Sequence, residues 1–365
     1  MAFVGAIYRR YLQKRYRMTP AGAAVLKRMF VSDYRKHIKD FLKVVKIHHY
    51  GFSWDDWHTA SLTPHTQAEY MKTIQYCSLH PLNGAYSHWI DDKLTLKYLC
   101  AGTPLDKYMP RYYFQIDENG KLLPLMDCPQ DCRDGKQGLI CLLQRVKALA
   151  FKRTAGSLGE GFYKVSYDGG RYLVNNRRID QEELLKHIDE LKDYIIIEYL
   201  RPHRDLVPYA ADTVNCLRYL IARDNTGALY TITRFVRFGT KASGFVENYG
   251  AGGILCFVDE KGHFKEGNIF DFKNNKNVVV KHHPDTGALL SGTLPLWSEI
   301  ENAVQLFVSW FPQLKYMGID FVMTAQNEVK ILEVNSLTSF DTLQLVGTIL
   351  KQPQGDFFKA MLNNH

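Results

Sequence analysis

Two acidic residues interrupt two of the most apolar runs of the chain. Asp320 sits in "IDFVM" and Glu333 in "KILEVN", both within residues 318–336, "GIDFVMTAQNEVKILEVNS". The runs are rich in Ile, Val, Phe and Leu, and the polar "TAQNEV" between them is turn-like, so the pattern predicts a β-hairpin. With Gln326–Asn327 as a two-residue turn, or a four-residue loop about the same centre, Asp320 falls opposite Glu333. An odd-length loop breaks that register. Opposed residues of an antiparallel pair have Cβ atoms about 4.5–5.5 Å apart, and Asn335, two residues on, shares the face of Glu333. Two carboxylates this close among apolar neighbours need a shared proton or a cation between them. With the Asn335 amide oxygen they form a hard oxygen set that suits Mg2+, usually completed by water and phosphate oxygens. A pair of edge-strand acids in solvent is the plain alternative.

Three further stretches carry chemistry. "FKRTAGSLGEGFYKV" (151–165) reads as strand, glycine-rich loop, strand. Gly156, Gly159 and Gly161 let the backbone approach a ligand and present N–H groups to an anion. No Lys-Ser/Thr follows the glycines and no helix follows the loop, which excludes the Walker and dinucleotide-binding patterns. A glycine flap over phosphates remains, with Lys152 adding charge just before it; an ordinary hairpin loop fits the same residues. "YIIIEYLRPH" is a buried strand ending at Glu198, whose backbone edge can bond an adenine, although core burial accounts equally for its apolar part. "DTVNCLRYLI" (212–221) sets Arg218 inside a strand, where a guanidinium needs an anionic partner. Arg234 and Arg237 follow in "TRFVRFG", so that arginines on adjacent strands can clamp a phosphate or carboxylate, or can form an outward ladder.

These groups need a large scaffold. The chain has 365 residues and 46% hydrophobic content, enough for a core divided into two or three lobes. The first 60 residues read as helices. Thr19–Pro20 is an N-cap and first-turn pair for a helix running towards His48. Thr63–Pro64 opens another, and Asp91 caps one that ends near Ala101–Gly102. A hairpin is expected at 113–125 and a helix from Leu139 to Ala150. Strands follow at 150–153, 162–168, 171–175 and 194–200, with a helix at 181–191 between the last two. Strands near 215–222, 229–238 and 253–258, a helix at 297–310, the opening hairpin and a last helix near 340–350 complete the order.

The formal net charge is +8, concentrated in "YRRYLQKRYR" (8–17) and in residues 27–46. Cations there alternate with apolar residues at helical spacing, which points to a solvated face or to an anionic membrane or polyanion surface, and away from nucleic acid. No apolar run approaches the roughly 20 residues of a membrane span, and "MAFVGAI" is too short for a signal sequence. Seven scattered cysteines fit a reducing cytoplasm. "CPQDC" (128–132) lacks the second Cys/His pair of a zinc site.

Taken in order, a basic residue, glycine flap, hinge strand, arginine strand and Asp/Glu/Asn hairpin resemble the ATP-grasp superfamily over about residues 90–350. In finer detail the chain is similar to sugar-transfer-associated ATP-grasp proteins of polysaccharide biosynthesis. "DTVNCLRY", "VENYGAGGI" (246–254) and "DDKLTLKYL" (91–99) carry that likeness, with Glu247 and the Ile319 of "GID" departing from the subfamily pattern. The resemblance implies an α+β ATP-grasp fold with a helical N-terminal extension. Residues 1–60 form the basic extension, 61–138 an N-terminal subdomain, 139–205 a central lid with the flap and 206–365 a C-terminal subdomain with the metal site.

It also implies roles. Lys93 and Lys152 contact the phosphates of ATP, and Gly156, Ser157, Leu158, Gly159 and Gly161 close over them. Glu198, Tyr199 and Leu200 form the adenine hinge. Asp320, Glu333 and Asn335 hold Mg2+, and Arg218 stabilises the transferred group, with Lys152 and Arg237 beside it. The implied activity is an ATP-dependent carboxylate–amine ligase acting through an acylphosphate, on a uronic-acid-type or amino-acid carboxylate in capsule or envelope polysaccharide assembly. Its partners are a small-molecule or saccharide carboxylate and an amine, with residues 1–17 contacting an anionic membrane or glycan at the cytoplasmic face. A kinase that stops at phosphoryl transfer, or a non-catalytic nucleotide-binding module, is the alternative. The intact Asp/Glu/Asn trio speaks against the module.

Overall fold

In the first hundred residues, apolar positions recur at helical spacing, as in Ala23, Leu26 and Phe30, all buried on one face. The computed structural model describes residues 2–154, 161–210, 213–244, 246–338, 340–345 and 347–363. Among the described residues seven α-helices come first: α1 (Ala2–Tyr16), α2 (Pro20–Lys36), α3 (Phe41–Tyr50), α4 (Trp54–Thr59), α5 (Thr73–Leu79), α6 (His88–Asp91) and α7 (Lys93–Cys100). Thr19 caps α2 by accepting a hydrogen bond from the Gly22 amide at 3.0 Å. Gly22 is required there, because an added Cβ would lie 2.2 Å from the Cys77 carbonyl of α5.

The helix expected to reach His48 breaks at His37. Asp33 is buried and accepts bonds from the Trp54 amide and His48 Nε2, each at 2.9 Å, which holds α3 folded back on α2. The helix expected at Thr63–Pro64 is only a short 3-10 turn, Gln67–Glu69. The hydroxyls of Thr63 and Thr66 accept from each other's amides, so the chain makes a side-chain turn in place of a helix. Asp92, not Asp91, caps α7, accepting from the Thr95 amide at 2.7 Å. α1 packs inward through buried Leu12 and leaves Arg9, Arg10, Lys14 and Arg15 exposed, and Arg17 just beyond its end is exposed too.

The strands form two seven-stranded antiparallel sheets. The first contains β1 (Tyr112–Ile116), β2 (Leu122–Pro124), β3 (Ala148–Arg153), β4 (Tyr163–Asp168), β5 (Arg171–Val174), β6 (Arg177–Ile179) and β7 (Tyr194–Glu198), in the order β2-β1-β7-β3-β4-β5-β6. Helices α8 (Gly135–Val146) and α9 (Gln181–Glu190) pack on it. α8 ends earlier than expected, at left-handed Lys147, so that "ALAFKR" enters the sheet as β3 with four buried residues. β1 and β2 therefore share a sheet with the strands of 148–198.

The second sheet contains β8 (Leu217–Arg223), β9 (Leu229–Phe238) and β10 (Ile254–Phe257). A small ribbon pairs β11 (His263–Lys265) with β14 (Ser291–Thr293), and β12 (Gly267–Asp271), β13 (Lys276–Val280), β15 (Tyr316–Met323) and β16 (Val329–Asn335) complete the second sheet. Its order is β13-β12-β10-β9-β8-β15-β16. The main core lies between this sheet, α7 and α10 (Trp297–Trp310). The helix expected near 340–350 is replaced by two 3-10 turns, Asp341–Gln344 and Ile349–Lys351, before α11 (Gly355–Asn363). There the Gln344 amide bonds both the N–H and the carbonyl of Met71, at 3.0 and 2.9 Å. The segment ties the N-terminal helices to the second sheet instead of bonding along itself.

That seam also buries acids. Asp56 of α4 is 4% exposed and accepts bonds from Ser53 and Thr73. Burial, then the charge of Asp341, pushes its carboxyl up to about 7. Asp341 is pushed up to about 6 by burial and then by Asp55. Both acids bind a proton more tightly folded than unfolded. The stability they contribute is present at low pH and lost as pH rises, for Asp56 from its ordinary 3.8 to about 7. Asp56→Asn keeps an acceptor and removes the charge. Urea melts from about pH 4 to about pH 8 are expected to show wild type losing up to about 1.4 kcal/mol per pH unit relative to this variant. A constant difference between the two would contradict the protonated seam.

Candidate active site

The second sheet builds a row of charges across four strands. Asp320 on β15 pairs in register with Arg218 on β8 and with Glu333 on β16. Arg237 lies one strand further, where its amide bonds the Cys216 carbonyl at 2.9 Å. Asp320 is 1% exposed and is held by both arginines: Arg218 grips it through Nε and, at 2.8 Å, through Nη2, and Arg237 Nη2 reaches it at 3.0 Å. Burial alone would raise the Asp320 carboxyl; the two guanidiniums outweigh it and hold it below the usual range.

The expected Asp320–Glu333 pairing is present, by a route other than an even turn. The loop closes between Thr324 and Glu328 with left-handed Asn327 inside it, so positions nearer the turn pair as Met323 with Val329 and Phe321 with Ile331. A bulge at Leu332 then restores the pairing of Asp320 with Glu333. Without that extra residue Leu332 would stand opposite Asp320. Asn335 shares the face as expected, its Nδ2 lying 3.4 Å from Glu333 Oε1.

Arg234 does not join the clamp. It pairs with Tyr219 on the other face, its guanidinium 5.0 Å from that ring's centroid. Lys93 opens α7 and sets its ammonium 3.3 Å from Glu333. Asp91 fixes this helix start to the end of β16, accepting from the amide and hydroxyl of Ser336 at 2.8 and 2.6 Å. Lys152 comes from β3 in the opposite sheet. Burial pushes its ammonium down to about 8, with Glu333 opposing and Lys93 adding to the shift.

A cavity of about 470 Å3 separates the sheets, a volume suited to a small-molecule site. Lys93, Lys152, Arg218, Arg237, Asp320, Glu333 and Asn335 line it, together with the expected hinge residues Glu198, Tyr199 and Leu200. Gly161 is not part of its wall. It sits at φ +71°, where an added Cβ would meet the Tyr194 hydroxyl at 2.5 Å. Gly156, Ser157, Leu158 and Gly159 lie outside the described residues.

Several wall residues escaped sequence reasoning. Val25, Arg28 and Met29 of α2 and Tyr76 of α5 line the cavity, so the helical extension closes one side of it. The sequence showed a helix with basic and apolar faces, with no sign of what those faces meet. Glu247, marked only as a departure from the subfamily, lines the cavity 3.8 Å from Arg237. Burial raises its carboxyl, against the pull of Arg237.

Among the described residues no group of three or more His, Cys, Asp or Glu side chains is arranged as a metal cage. The two carboxylates and amide still fit a hard cation shared with phosphate oxygens. A carboxylate offers about four lone-pair positions, and the arginines take three of those on Asp320. The Glu333 side chain is 24% exposed beside the cavity. Arg237 Nε is buried without a partner among the described residues, a donor that an anionic oxygen would satisfy.

A family model described as sugar-transfer associated ATP-grasp matches residues 79–352. The chain belongs to that family. ATP with Mg2+ is the cofactor pair of ATP-grasp enzymes. A comparison with curated proteins finds no match. Among solved structures the chain is similar to D-alanyl-alanine synthetase A from Vibrio cholerae, with 13% identity over 77% of this chain and 65% of that one and a TM-score of 0.40. It is also similar to the ATP-grasp ligase PsnB complexed with minimal precursor (14%, 78% and 64%, TM-score 0.39). A third is purK, N5-carboxyaminoimidazole ribonucleotide synthetase, as its ADP complex (11%, 70% and 46%, TM-score 0.38). The chain spans about half to two thirds of the length of these structures.

Lys152 yields a pH test. Its charge is present below about 8 and lost above it in the free protein, so ATP affinity should fall as pH rises through about 8. The fall is at most about tenfold per pH unit. Lys152→Arg keeps its charge and should bind ATP evenly between about pH 7 and about pH 9.5. Identical profiles for the two proteins in equilibrium binding would remove Lys152 from the phosphate site.

Proposed function

We propose that the protein is an ATP-dependent carboxylate–amine ligase. The observation that carries this reading is the charge row on the second sheet, faced across one cavity by Lys152 and Lys93. Bound ATP with Mg2+ would supply a γ-phosphoryl group that converts a carboxylate into an acylphosphate, which an amine captures with loss of phosphate.

Each residue has a defined part in that reading. Lys152 and Lys93 hold phosphate oxygens, and Glu333, Asn335 and the remaining lone pair of Asp320 hold the cation. Arg218 and Arg237 face charge that develops on the transferred group. Asp320 holds both guanidiniums in place beforehand, so little reorganisation is needed at reaction. The apolar wall from Leu200, Phe235 and Leu332 restricts water, which would otherwise hydrolyse an activated acid. The subfamily supports a saccharide substrate, and we assign the carboxylate to a uronic-acid-type sugar and the process to capsule or envelope polysaccharide assembly.

The test is phosphate release from Mg·ATP with pooled uronic-acid conjugates and amines. Release that requires both substrates is expected; release that is complete without an amine would instead mean a kinase. Glu333→Gln should lower turnover by about a hundredfold or more while leaving the circular dichroism unchanged. Arg218→Lys should lower turnover more than it weakens ATP, because a point charge replaces a planar fork. Near-native turnover in Glu333→Gln at saturating Mg2+ would overturn the metal site.

A further inference from the structure

Four large apolar side chains stand exposed within eight residues: Ile38 at 66%, Phe41 at 49%, Leu42 at 82% and Val45 at 41%. They belong to the 3-10 turn Ile38–Asp40 and to α3. This helix is apolar on two sides. Val44 and Ile47 are buried in a cluster with Phe52, Trp54 and Trp57. Phe41, Val45 and Leu42 span about 100° of the opposite side. Helix propensity needs no apolar residues there, and a cluster of this kind marks a surface that something covers.

The rim identifies the occupant. Arg35, Lys36, Lys39, Lys43 and Lys46 are all exposed, against two exposed carboxylates, Asp40 and, near Lys36, Asp55. None of the five cations makes an ion pair among the described residues. A second copy of this chain would set five cations against five. A bare polyanion would leave the apolar side chains in water. An anionic bilayer answers both needs, with acyl chains for Ile38, Phe41, Leu42 and Val45 and lipid phosphates for the lysines. Among the described residues no helix is long and apolar enough to cross a membrane, so the contact is peripheral.

We infer that the turn at 38–40 and α3 form a docking surface for an anionic lipid bilayer. It lies apart from the basic residues of α1, whose Leu12 is buried against α2 and α5. It does not rest on the catalytic reading, since none of its residues lines the cavity.

Vesicle co-sedimentation of the full chain tests it. Vesicles with about one third phosphatidylglycerol should bind at least about tenfold more protein than pure phosphatidylcholine, and less as salt rises. Phe41→Ser/Leu42→Ser and Lys39→Glu/Lys43→Glu/Lys46→Glu should each lower that binding by about tenfold or more. ATP affinity should be unchanged in both. These side chains are exposed, and circular dichroism verifies that the variants fold. The inference fails if wild type does not bind anionic vesicles, or if either variant binds as wild type does. It fails equally if heparin binds while vesicles do not, or if Phe41→Ser/Leu42→Ser abolishes a dimer in solution and vesicle binding is absent.

Discussion

Asp320, almost wholly removed from water, is tolerable only because two guanidiniums surround it. Breaking such a buried pair by removing one partner costs about 3–5 kcal/mol, since the charge left behind has no water to turn to. The second sheet must therefore deliver three side chains from three strands to one point. β8 and β9 supply the arginines, β15 the carboxylate, and the Leu332 bulge on β16 brings Glu333 alongside. The row closes on itself at the arginine end. At the Glu333 end it meets Lys93, and across the cavity Lys152. Six cations of the wall, Arg28, Lys93, Lys152, Arg153, Arg218 and Arg237, face four carboxylates, Glu198, Glu247, Asp320 and Glu333, so the wall carries a positive excess towards an anionic ligand.

The N-terminal helices follow from the same constraint. A charge row at low dielectric works only where water is limited, and the second sheet alone leaves one side of the cavity uncovered. α2 and α5 cover it. Polar contacts hold α5 and the chain on either side of it to the second sheet and the C-terminal turns: Tyr76 with Tyr316 and Thr338, Asn83 with the backbone of Lys315 and Tyr316, and Gln344 with Met71. The start of α2 is held in turn by the Thr19 hydroxyl, which donates to the His80 carbonyl at 2.6 Å. The extension is structurally continuous with the site and not an appendage before it.

Much of this was legible in residue types. The apolar runs around Asp320 and Glu333 announced a hairpin, and the arginines within strands announced anionic partners. Neither told which anion each arginine would find. Arg218 and Arg237 both chose Asp320, while Arg234 turned to the opposite face, a matter of strand parity that a single bulge can reverse. The facing of Glu333 rested on two irregularities that offset each other, a three-residue loop and the Leu332 bulge. Sequence periodicity resolves neither. Helix boundaries were misread where side chains compete with the backbone, as at Thr63–Thr66 and Gln344. The cavity-lining role of α2 depends on long-range packing that local pattern does not encode.

Function at this site depends on the open end of the charge row receiving a cation together with nucleotide phosphates. Equilibrium titration of ATP, with and without Mg2+, into wild type and Glu333→Gln measures that directly. Mg2+ should tighten ATP binding to wild type by about tenfold or more, and Glu333→Gln should lose that gain while still binding metal-free ATP through Lys93 and Lys152. ATP binding indifferent to Mg2+ in wild type, or a gain that survives in Glu333→Gln, would contradict it.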